Sequence, residues 1–87
     1  MTGAEALRLA QVRWPEAELL SRAWWDSEQV QAWHVHADDN TWLGNVEAFR
    51  DQGTWTLTPA DNVPERWGTV ATGKIGDLYR SVPLEEV

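Results

Sequence analysis

The chain has 87 residues and no cysteine, and its 14 acidic and seven basic side chains leave a net charge of −7. Disulfides, thiolate zinc sites and thiol nucleophiles are therefore excluded, and the acidic field opposes nucleic-acid phosphate and anionic lipid. The length fits one compact domain over residues 1–87, and seven tryptophans, each able to bury about 150–250 Å², supply the core that so short a chain needs.

Thr2-Gly3-Ala4-Glu5 has the spacing in which a hydroxyl and a carboxylate reciprocally satisfy free backbone donors, so a helix is predicted to begin here. Leu7, Ala10 and Trp14, with Ala6 beside them, form its apolar face, and Pro15 ends it. No basic region followed by an apolar stretch opens the sequence, and no apolar run approaches the roughly 20 residues that cross a bilayer. A cytoplasmic protein is the resulting expectation.

Ala17–Trp25 fits two periods. Leu19, Leu20, Ala23 and Trp24 suit a helix face, whereas Ser21, Ala23 and Trp25 alternate with Leu20, Arg22 and Trp24 as in a strand, which is the favoured reading. Asp26-Ser27-Glu28 supplies the following turn.

Trp33, Val35 and Ala37 alternate with His34 and His36, the pattern of a half-buried strand. Asp38-Asp39-Asn40-Thr41 turns the chain, and a register setting Ala37 opposite Trp42, Val35 opposite Gly44 and Trp33 opposite Val46 collects the apolar members on one face. Gly44 then leaves room for a ring, expected to be Trp33 or Trp42. After Ala48, Asp51-Gln52-Gly53 makes a turn into Thr54–Thr58, with Trp55 and Leu57 pointing inward.

Pro59 to Pro64 reads as a loop, pinned by Trp67. Ile75, Leu78, Tyr79 and Val82 have helical spacing closed by Pro83. The expected architecture is α+β: an N-terminal helix packed on a three- to four-stranded antiparallel β-meander, with a short C-terminal helix.

The residues offer little chemistry. His34 and His36 project from one strand face near Asp38 and Asp39, but a catalytic metal site needs at least three fixed ligands in a walled pocket, so solvent-face histidines are expected and no metal. Gly68-Thr69-Val70-Ala71-Thr72-Gly73-Lys74 matches the start of a phosphate-binding loop, yet Ile75 stands where the Mg²⁺-holding hydroxyl belongs, leaving a glycine-rich turn as the reading. Ser21, Ser27 and Ser81 lack a nucleophile-elbow context. Neither an enzyme nor a cofactor is expected.

Trp33, Trp42 and Trp55 are assigned to the inner face. Trp24, Trp25 and Trp67 are left as candidates for exposure, and with Asp38, Asp39, Asp61 and Glu65 they form the expected partner-binding set, aromatic anchors with a charged rim. The function that follows is a non-catalytic acidic interaction module, of the inhibitor, immunity or antitoxin-like kind, binding a basic surface of a larger protein. A leading helix followed by a short meander resembles small bacterial immunity-type domains in outline. The alternative is a small-ligand or carbohydrate-binding module that uses exposed tryptophans as a platform.

Overall fold

In the computed structural model, which describes residues 1–60 and 71–75, Thr2 Oγ1 accepts the Glu5 backbone N–H at 3.1 Å and opens helix α1, Gly3–Arg13. Trp14 caps the other end, its N–H donating to the Ala10 carbonyl at 2.7 Å, and Pro15 prevents continuation. The buried stripe is Ala6, Leu9, Ala10 and Trp14, with Leu7 only half-buried. The expected face thus rotates by one position to include Leu9. Two alanines on that stripe let the helix approach the sheet closely.

The sheet has five strands in the order of the chain, all antiparallel: β1 Ala17–Arg22, β2 Val30–Ala37, β3 Trp42–Phe49, β4 Thr54–Pro59 and β5 Ala71–Lys74. The ambiguous segment after Pro15 is a strand, ending at Arg22 so that Trp24 and Trp25 fall in the connection to β2. Asn40, at φ 71°, and Gly53, at φ 66°, make the left-handed residues of the β2–β3 and β3–β4 turns, conformations that Asn and Gly tolerate best.

Among the described residues the sheet has five strands where three or four were expected, the addition being β5. Its glycine was the misleading signal: Gly73 pairs with Trp55, and a Cβ there would lie 2.7 Å from Trp55 Cζ2. Trp55 Nε1 then donates to the Lys74 carbonyl at 2.9 Å. The glycine serves as a bed for a ring inside a strand, not as a turn. The expected C-terminal helix beyond Ile75, and the loop carrying Asp61, Glu65 and Trp67, lie outside the described residues.

The inner face carries Trp33 and Val35 from β2, Val46 and Ala48 from β3, and Trp55 and Leu57 from β4, all buried against α1 and Trp14. Gly44 does receive a ring, but it is Trp14 from the end of α1 rather than a strand neighbour. Two of the three expected β2–β3 pairs hold, Val35 with Gly44 and Trp33 with Val46. The third does not. His36, not Ala37, pairs with Trp42, because Leu43 is an extra residue that bulges the ladder. A one-residue slip exchanges faces, so Leu43 turns inward, 5% exposed, and Trp42 turns outward, 41% exposed. Trp42 therefore leaves the inner face to which alternation assigned it.

Candidate functional site

The helix covers one face of the sheet; the other is where the unexplained side chains collect. Pairing across it aligns Leu19, His36 and Trp42 in one row, and Ser21, His34, Asn45 and Thr58 in the next. A third row holds Ala32, Glu47, Thr56 and Thr72. The two bulges, at Glu18 in β1 and Leu43 in β3, flank His36 from both sides, bending the sheet at the end nearest the Asp38–Asn40 turn.

The β1–β2 connection folds back onto this face. Ala23 N–H donates to the Ala32 carbonyl at 3.0 Å, and the Ala32 N–H returns to Asp26 Oδ1 at 2.9 Å. Ala32 is consequently fully buried although it belongs to the outer row. This return places Trp25 edge-on to His34, with ring centroids 5.3 Å apart, and its Nε1 donates to Glu47 Oε2 at 2.9 Å. Trp24 stands edge-on to Trp25 at 5.5 Å and is 90% exposed. On the other side His34 meets Trp42 at 6.1 Å and His36 at 6.4 Å. The result is a continuous chain of rings, Trp24–Trp25–His34–Trp42, running across the face that α1 leaves uncovered.

Hydrogen bonds fix its orientation. Asn45 Oδ1 accepts from two sides, His34 Nδ1 at 2.7 Å and Trp42 Nε1 at 3.2 Å, while Trp42 Nε1 is shared with the Gly44 carbonyl at 3.0 Å. Because an indole nitrogen only donates, the oxygen of Asn45 must face both rings. In the neutral imidazole this assigns the proton of His34 to Nδ1 and leaves Nε2 as an acceptor. Among the described residues, neither His34 Nε2 nor Glu47 Oε1 has a hydrogen-bond partner.

The two histidines share a face as expected from their spacing, but among the described residues no group of three or more His, Cys, Asp or Glu side chains is gathered to hold a metal. Asp38 and Asp39 sit exposed in the turn at one end of the face. Asp39 is spent locally: the Thr41 hydroxyl and then the Thr41 N–H, at 3.0 Å, hold its carboxyl below the usual range. Alternation misplaced Trp42, which the bulge brings outward, whereas it put Asn45 and Glu47 on this face without marking them as site residues; the folded-back connection marks Glu47. A hollow of about 420 Å³ lies along β4 and β5, lined by Phe49, Thr54, Thr56, Thr72 and Lys74 among others, and it adjoins the row of Glu47, whose cross-strand partner is Thr56.

Asp26 anchors the connection that positions both tryptophans. Its carboxyl is held below its ordinary 3.8, first by the Ala32 N–H and, against a desolvation effect, by Arg22, whose guanidinium bonds Oδ2 at 2.5 Å. A carboxyl depressed in the folded state contributes stability above its unfolded value and loses it as pH falls through the folded one. Asp26→Asn is expected to lower the melting temperature at about neutral pH, with the gap to the parent closing in acid as pH falls through the lowered folded-state value of Asp26. A gap independent of pH would refute the role of the charge.

Among the described residues no helix is long and apolar enough to cross a membrane. Comparison with protein-family models, curated proteins and solved structures yields no significant match. The functional reading consequently rests on the geometry of this face.

Proposed function

We propose that the protein is a non-catalytic binding module that takes up a basic protein segment on the open face of its sheet. The observation that carries this reading is Trp24, 90% exposed and braced by a ring whose indole is tied to Glu47. Leaving a tryptophan in water forgoes on the order of 2–3 kcal/mol of burial, and an oriented exposed ring surrounded by charge has the anatomy of an interface anchor. Charge supports the sign of the partner. The net charge is −7, Glu47 lies within the face, and Glu28, Asp38 and Asp39 are exposed in the turns that border it. Such a field draws a cationic segment in and weakens with salt.

Titration with a blocked basic peptide, followed by tryptophan emission, is expected to show binding that salt weakens, and an acidic peptide of equal length is expected not to bind. Trp24→Ala is expected to weaken binding about tenfold or more with no change in melting temperature, since the ring covers nothing buried. Equal binding by the Trp24→Ala variant would remove the face from the interaction.

A second reading is favoured by one feature: the rings alternate with Asn45, His34 and Glu47, a mixture of donors and acceptors that suits a sugar stacked on tryptophan. Soluble oligosaccharides would then perturb tryptophan emission equally at low and high salt, an outcome the basic-segment reading does not produce.

A further inference from the structure

We infer that the side chain this face selects is arginine rather than lysine. The inference rests on the reading of the face as a site for a basic segment and deepens it. Two acceptors stand on the same part of the sheet: His34 Nε2, left as a lone pair because Asn45 takes the Nδ1 proton, and Glu47 Oε1, left over because Trp25 occupies Oε2. His34 pairs with Asn45, two residues before Glu47 on β3, so the two acceptors are diagonal cross-strand neighbours, within reach of one another's ligands. The Trp25 ring touches both, edge-on to His34 and hydrogen-bonded to Glu47.

An ammonium is a compact, strongly hydrated point charge, whereas a guanidinium is a planar fork of five donors that engages two separated acceptors at once and stacks on indole faces. Exposed Trp24 and Trp42 supply such indoles at either end of the cluster. The chain uses the same combination internally: Arg22 lies 5.9 Å from the centroid of Trp33 while its guanidinium bonds Asp26.

The test compares two blocked peptides of equal length and charge, one alternating arginine with glycine and the other lysine with glycine. Each is titrated into the full chain and into Glu47→Gln and His34→Ala variants checked for folding by circular dichroism. The arginine peptide is expected to bind the parent about tenfold more tightly than the lysine peptide, with each variant reducing that ratio toward one. Equal affinity of the two peptides for the parent overturns the arginine assignment and leaves the basic-segment reading standing, while binding of neither overturns both. An undiminished ratio in the folded variants also overturns it, because the acceptors would then lie elsewhere; if a variant does not fold, the comparison on the parent decides alone.

Discussion

Trp14→Ala is expected to lower the unfolding free energy by about 3–5 kcal/mol, the largest effect of any single replacement in the described residues. Trp14 is fully buried, it sits where helix α1 ends, and its ring reaches across the sheet to Gly44. Trp14 is the largest of the side chains that join helix and sheet, beside Ala6, Leu9 and Ala10, and its loss opens a cavity between them. A domain of this size holds on the order of 5–10 kcal/mol in total, so the variant retains a small fraction of it and is expected to unfold near physiological temperature. Among the described residues the buried indole N–H of Trp14 has no hydrogen-bond partner, which itself costs about 1–3 kcal/mol. Trp14→Phe, which removes that donor along with part of the ring, is accordingly expected to destabilise far less than Trp14→Ala. Chemical denaturation followed by far-ultraviolet circular dichroism checks both, and an alanine variant as stable as the phenylalanine one would show that the ring does not join the layers.

Gly44→Ala is expected to be the next most damaging change, at about 2–3 kcal/mol for overpacking. A methyl group at that position meets the six-membered ring of Trp14, 2.8 Å from Cζ2, and collides with the backbone carbonyl of Thr58. The ring is wedged in the core, and the carbonyl belongs to β4, which pairs with β3 at this point, so neither neighbour yields cheaply. The two substitutions are predicted to be coupled. In a Trp14→Phe background the smaller ring relieves one collision while the Thr58 carbonyl retains the other, so Gly44→Ala should cost less there, yet remain unfavourable. Strict additivity in the double-mutant cycle would mean that the two residues do not share the space assigned to them.

Local signals carried much of the fold. The capping residue Thr2, the breaker Pro15, the alternation around Trp33 and Val35 and the turn residues Asn40 and Gly53 each act over a few residues, and each appears in the structure where its chemistry requires. Gly44 and Gly73 were legible only in part. A glycine in a strand announces a close approach, but which ring arrives depends on a helix far away in sequence for Gly44, and on a strand pairing for Gly73.

The face opposite the helix divides in the same way. Composition by itself determined the acidic character of the chain and its supply of tryptophan, because charge and apolar area are properties of residues irrespective of arrangement. The excess of rings over core positions left Trp24, Trp25 and Trp67 as candidates for exposure, of which Trp24 is exposed and Trp25 half-buried. Only the tertiary structure decided that Trp42 joins Trp24, since a single inserted residue, Leu43, reverses the side from which Trp42 projects. It alone brought Trp25 over Glu47 and His34, because that contact depends on Asp26 capturing the Ala32 N–H and folding the connection back. Alternation is a local rule, and a bulge or a folded-back loop is chosen by the packing of the whole domain, here by the need to bury Leu43 inside while Trp14 occupies the space over Gly44.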